Sequence, residues 1–114
     1  MLLEEKKYLY DILQAIERIE RFASGKTISD YLQDEMLQAA IERQFEIMGE
    51  AVNKLSKVSA AIADQLPNKR KMISFRNILI HAYDTIDPMI VWGVVEKDSA
   101  KLKEVVEQLL TTNT

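Results

Sequence analysis

The chain has 114 residues, 47% hydrophobic and 29% charged, which suits one domain with a single core. Its formal charge of −3 does not point to a strongly basic nucleic-acid binder, and the lack of cysteine excludes disulfides, thiolate metal sites and a cysteine nucleophile. One histidine excludes a multi-histidine zinc site within one chain.

The opening "MLLEEKKYLYD" carries acids where a signal peptide needs basic and then apolar residues. The longest apolar run, Met89 to Val95, is too short to span a bilayer. A soluble, cytoplasmic protein with no membrane partner is expected. The 3 Gly and 2 Pro leave few places to break a helix, and Ala, Leu, Glu, Lys and Gln favour one.

The first helix runs from about Glu4 to Ala23. Leu9, Ile12, Leu13, Ile16, Ile19 and Ala23 recur at helical spacing along one face. Ser24-Gly25-Lys26 stops it, with Gly25 as a left-handed cap. "ISDYLQ" reads as a short helical turn. Asp34 then caps a long helix from Glu35 to about Val58. Its apolar stripe is Leu37, Ala40, Ile41, Met48, Ala51, Val52 and Leu55. A second, polar stripe holds Gln38, Glu42, Glu46, Glu50 and Asn53. "AAIADQLP" continues as a helix or a short turn and ends before Pro67.

The next helix runs from about Lys69 to Asp84. "TIDP" ends it and starts another, with Asp87 as N-cap and Pro88 as first helical residue. The last segment carries Ile90, Val91, Val94 and Val95, bends near Asp98, and continues through Leu102, Val105, Val106, Leu109 and Leu110. Thr111 onward is expected to fray. No stretch alternates as a strand does. Short connections between four or five helices predict an all-α, compact antiparallel bundle forming a single domain over residues 1–114.

Viewed end-on at about 100° per residue, the helix holding the lone histidine separates into two sides. Met72, Phe75, Ile78, Leu79 and Ala82 make a core-facing arc. Arg76, Asn77, His81, Tyr83 and Asp84 lie away from it, with Tyr83 about 20° from Arg76 two turns on. Ile73 and Ile80 sit among these polar residues, so this side is expected to be covered by another helix, a second subunit or a ligand. A lone helical histidine is more often a surface residue than a catalyst, and spacing alone leaves both readings open.

At these residues the sequence resembles a known family. "RNILIHAY" fits the R-x4-H-x-Y form of the R-x4-6-H motif of HEPN domains, and Asn77 matches the polar residue that often follows the arginine. "EIMGEAVNKLS" and "HAYDTIDPMIVWGVVEKD" resemble segments of the HepT-like subfamily, and the likeness covers nearly the whole chain. The resemblance implies a HEPN-like helical bundle that pairs as a homodimer. It implies a metal-independent endoribonuclease, the toxin of a type VII-like toxin–antitoxin pair. It also implies a partner, an MntA-like nucleotidyltransferase antitoxin that silences the toxin by transferring adenylyl groups to Tyr83.

The residue types suit that chemistry. RNA cleavage without a metal needs a base for the ribose 2′-hydroxyl, an acid for the leaving 5′-oxygen, and a stabiliser for phosphorane charge. His81 titrates in the range proton transfer requires. Arg76 stays charged and can grip phosphate oxygens through two donors. One chain lacks a second histidine, so a two-fold dimer through this face would complete the set. Asn77 either orients the imidazole, holds phosphate, or makes a plain surface hydrogen bond. Lys69, Arg70 and Lys71 either guide an RNA backbone or form a solvated basic turn. AMP on Tyr83 would put a phosphate near Arg76; the bland alternative makes Tyr83 a wall of the cleft. Glu42, Glu46 and Glu50 fit a solvated face best, with an ion pair from Glu46 or Glu50 to Arg76 as the structural alternative. Trp92 and the late valines read as core. A competing reading makes the chain a non-catalytic helical partner that regulates an MNT-type nucleotidyltransferase.

Overall fold

The computed structural model describes residues 1–112 and, among them, contains seven α-helices and no strand. They are α1 (Leu3–Ala23), α2 (Ile28–Gln33), α3 (Glu35–Val58), α4 (Ala60–Ala63), α5 (Lys69–His81), α6 (Pro88–Lys97) and α7 (Ser99–Thr112). A 3₁₀ turn, Tyr83–Thr85, separates α5 from α6. The all-α bundle expected from the sequence is what the chain forms: α1, α3, α5, α6 and α7 build it, and α2 and α4 are short connectors.

The helix boundaries follow from local chemistry. Gly25 takes φ +73° after α1, a conformation that costs glycine nothing. Thr27 and Asp30 exchange side-chain hydrogen bonds with each other's backbone N–H groups and so start α2. Asp34 accepts from the Leu37 N–H at 3.0 Å and caps α3. Asp87 accepts from the Met89 N–H at 2.9 Å, with Pro88 as the first residue of α6. The expected bend near Asp98 is the break between α6 and α7. Helix α7 continues to Thr112, past the expected fraying point at Thr111; Asn113 and Thr114 lie outside the described residues.

Helix α3 is the centre of the molecule. At about 1.5 Å per residue its 24 residues span most of the 42 Å long axis. It packs along α1 on one side and α5 on the other, while α7 returns to α1. Lys7, Tyr8 and Asp11 of early α1 share a groove with Glu50, Ala51 and Lys54 of late α3, which is the antiparallel register. Leu9, Ile12, Ile16 and Ile19 are buried against Ile41, Met48, Val52 and Leu55 in one continuous cluster. The Phe45 and Phe75 rings meet edge-on, with centroids 5.2 Å apart, and join α5 to α3. Trp92 is buried as expected, its ring 5.1 Å from that of Tyr31. No helix among the described residues is long and apolar enough to cross a membrane.

Asn68 precedes α5 in the left-handed region at φ 60°. Its side-chain amide donates to Asp98 Oδ1 at 3.2 Å, and Lys71 Nζ pairs with Asp98 Oδ2 at 2.6 Å. The start of α5 is thereby anchored to the α6–α7 junction.

A candidate active site on helix α5

Arg76 sits where α5 packs closely on α3. The contact is possible because α3 carries Gly49 there. A methyl group at Gly49 would overlap Arg76 Cβ and lie 2.8 Å from the Met72 carbonyl oxygen and 3.0 Å from Arg76 Cγ. The glycine is a notch that admits the arginine stem. Sequence reasoning left Gly49 without a role, although an isolated glycine inside a helical pattern is a signal of close approach.

The guanidinium is held from two sides. Nη1 donates to Asn77 Oδ1 at 2.7 Å, and Nη2 lies 2.5 Å from Glu50 Oε2. The Glu50 contact is an ion pair without the alignment of a hydrogen bond, and Arg76 Nε is buried with no partner. The Glu50 carboxylate also faces Lys54, whose Nζ is 3.9 Å from Oε1. Arg76 therefore does not point away from the bundle, as the helical projection predicts. It is half-buried at the wall of a groove of about 260 Å³ between α1, α3 and α5, where Tyr8, Arg43, Lys54 and Ile80 also lie.

This corrects the reading of the α3 acidic stripe as a solvated face. Glu42, Glu46 and Glu50 are all partly buried, and Glu50 takes the structural alternative, the ion pair to Arg76. Glu46 pairs with Arg43 at 3.3 Å. Burial, and then the neighbouring Glu46 charge, raise the Glu42 carboxyl above its ordinary value. Asn77 spends its oxygen on Arg76, the surface hydrogen bond among its three expected roles.

His81 is the last residue of α5 and is exposed. Among the described residues its ring nitrogens make no hydrogen bond or ion pair. It lies five residues after Arg76, about 140° around the helix. Within one chain the imidazole and the guanidinium thus face different directions.

Tyr83 departs further from expectation. Helix α5 ends at His81 rather than at Asp84: Ala82 leaves the helical region at φ −140°, ψ 40°, and Tyr83 belongs to the 3₁₀ turn. It does not sit two helical turns above Arg76, and its side chain is 74% exposed. The turn is fixed by Thr85, whose hydroxyl donates to the Ala82 carbonyl at 2.8 Å. It returns Ile86 to partial burial on the core before Asp87 caps α6.

The remaining candidates divide. Lys69 pairs with Asp64 at 2.5 Å and Lys71 with Asp98, so both are partly neutralised; Arg70 is exposed and carries no ion pair among the described residues. Ile73 is half-buried against the chain's own core, whereas Ile80 is exposed. Ile78, expected in the core arc, is exposed as well. Ile78 and Ile90, the latter 61% exposed, line a pocket with Phe75, Ala82 and Ile86 at the end of α5, whereas Ile80 lies on the Arg76 groove.

A family model described as "Ribonuclease HepT-like" matches residues 12–109, nearly the whole bundle and all of the α5 motif. The chain belongs to the HepT-like ribonuclease family. A Thermococcus cleftensis protein named "Probable ribonuclease HepT" is 38% identical over 104 residues, covering 91% of this chain and 94% of its own length. A Methanocaldococcus jannaschii protein named "Putative RNase" is 33% identical over 104 residues, covering 90% of this chain and 93% of its own. A second protein of that organism, named "Gamma-glutamylcyclotransferase and putative RNase", is 37% identical over 105 residues. There the match covers 92% of this chain but 47% of the relative, so this HepT-like chain spans about half of that protein. No solved structure gives a significant match. In this HepT-like chain the motif residues are split between a groove that holds Arg76, a helix end that presents His81, and a turn that exposes Tyr83.

Proposed function

We propose that this chain is the toxin of a toxin–antitoxin pair, a metal-independent endoribonuclease that uses Arg76 and His81 and is silenced by adenylylation of Tyr83. The observation that carries the reading is the Arg76–His81–Tyr83 set in a member of the HepT-like family, with His81 and Tyr83 both open to solvent. In the cleavage step an imidazole takes the 2′-hydroxyl proton and the 2′-oxygen bonds to phosphorus. The bond to the 5′-oxygen breaks, and that oxygen is protonated as it leaves. Arg76 stabilises the charge on the equatorial oxygens.

One imidazole does not serve both ends at once. A homodimer supplies the second, and the exposed Ile78 and Ile90, which share a pocket with Ala82 at the end of α5, favour a partner copy there. Silencing follows from the Tyr83 position: its phenolic oxygen attacks the α-phosphorus of ATP held by an MntA-like nucleotidyltransferase, pyrophosphate leaves, and the phenolic proton is lost. The bound AMP adds negative charge and bulk two residues from His81, and both repel RNA.

A second reading is a non-catalytic regulator of that nucleotidyltransferase. The neutralised Lys69 and Lys71 and the isolated His81 favour it. Expression of the chain alone in bacteria, beside His81→Ala and Arg76→Ala, separates the two. Growth arrest with RNA cleavage from the unaltered chain only is the expected result. Equal behaviour of all three would sink the catalytic reading.

A further inference from the structure

The Arg76 guanidinium already holds an anion. Glu50 contributes one oxygen to Nη2 at 2.5 Å, out of line for a hydrogen bond, and the adjacent Nε is buried with no partner. The Nε–Nη2 edge is the fork with which arginine takes two oxygens of one phosphate. Here that fork is half used by a carboxylate that fits it poorly. A second cation is within reach of the same carboxylate: Lys54 Nζ is 3.9 Å from Oε1, a loose contact one helical turn away on α3.

We propose that Glu50 is an intramolecular stand-in for phosphate at Arg76, and that an RNA phosphate enters the groove by displacing Glu50 onto Lys54. This rests on the reading of Arg76 as the residue that grips the substrate backbone. The exchange conserves ion pairs: Arg76 trades carboxylate for phosphate, and Glu50 tightens a contact it already makes with Lys54. Both cations that face Glu50, Arg76 and Lys54, line the groove, so a rotation of one side chain performs the exchange with no shift of α3. Gly49, one residue earlier, keeps the arginine stem fixed while its head changes partner.

The device has two consequences. Without substrate, Glu50 balances the charge of Arg76 at Nη2, while Nε stays without a partner and is left for a ligand oxygen. An unanchored anion competes poorly with a tethered carboxylate, so the groove favours a phosphodiester held by neighbouring contacts over a stray anion. Tyr8, on the opposite wall, offers a ring for the attached nucleoside.

The test reads Arg76 directly. The Nε–H signal of Arg76 is followed by nitrogen-15 NMR while inorganic phosphate, and separately a fully 2′-O-methylated oligoribonucleotide that resists cleavage, is added. Glu50→Gln is expected to tighten binding of both by about threefold to fivefold, the worth of a half-exposed ion pair. Glu42→Gln makes the same change of charge two turns away and is expected to alter binding less than twofold. Lys54→Met is expected to weaken binding about threefold in the unaltered chain and to have little effect beside Glu50→Gln. An equal cost of Lys54→Met in both backgrounds, or equal gains from Glu50→Gln and Glu42→Gln, overturns the exchange. Because phosphate binding is read without turnover, the exchange stands or falls separately from ribonuclease activity; unaltered phosphate affinity in Glu50→Gln refutes it even if the chain cleaves RNA.

Discussion

Replacing Gly49 with alanine probes the joint on which the site rests. The added methyl would overlap Arg76 Cβ and lie 2.8 Å from the Met72 carbonyl oxygen, where a comfortable contact is about 3.5 Å or more. Neither neighbour is the loose end of a side chain, so the axes of α3 and α5 must separate by roughly 1 Å to admit it. Overpacking of this kind costs about 1–3 kcal/mol, and a rigid backbone on one side argues for the upper end. Alanine returns about 1 kcal/mol through its better helix propensity. The net expectation is a loss of about 2 kcal/mol, or a fall in Tm of roughly 6–12 °C for a domain of this size. Thermal and urea unfolding followed by circular dichroism measure it. Gly93 is the control: it is also inside a helix, α6, but an added Cβ meets nothing within 4 Å. Gly93→Ala should therefore gain about 0.5–1 kcal/mol. If the two substitutions shift stability in the same direction by similar amounts, the notch does not govern how α5 docks, and the account of Arg76 placement fails with it.

Removing the α3 cap through Asp34→Ala should cost about 1 kcal/mol in urea unfolding, and Asp34→Asn much less, since amide oxygen still accepts from Leu37. Glu42→Gln should stabilise at neutral pH and not below pH 4.5. The raised carboxyl binds its proton more tightly when folded, so its ionisation penalises folding above the ordinary value of 4.5, and the amide removes that penalty; Tm at the two pH values checks the sign. Tyr83→Phe should retain RNA cleavage while intact mass, after co-expression with an MntA-like nucleotidyltransferase, shows no added AMP. A mass gain in the phenylalanine variant would place modification elsewhere. His81→Gln should lower the cleavage rate by at least about a hundredfold in a single-turnover assay, with unfolding unchanged because the side chain is exposed.

The helical architecture was legible because the caps are explicit. Asp34, Asp87-Pro88 and Gly25 each mark a boundary through an interaction confined to a few residues, and each boundary stands where they place it. The end of α5 was not legible. Ala82, Tyr83 and Asp84 all tolerate a helix; the chain leaves it to return Ile86 to the core and to orient the Asp87 cap, which are tertiary demands. The same holds for Arg76. A projection of one helix gives the relative angles of its side chains but not the rotation of the helix against its neighbours, and α5 is turned so that Arg76 meets α3. Pairing of Arg76 with the acidic stripe was visible as an option. Choosing Glu50 required the register of two helices, which Gly49 fixes.

The stop at His81 has a consequence for how the protein opens. A helix that ran on through Asp84 would tie Tyr83 to the hydrogen-bond ladder beneath Arg76, and freeing the tyrosine would mean fraying α5. The three-residue turn instead closes on short local bonds, from Thr85 and Ile86 back to Ala82 and Tyr83. Such a segment exchanges its amide protons through small, frequent openings, while α5 exchanges through rarer ones that involve its packing on α3. Under the proposed silencing, a nucleotidyltransferase that draws Tyr83 into its own cleft would work against the opening free energy of a turn, and leave the helix that carries Arg76 and His81 folded throughout.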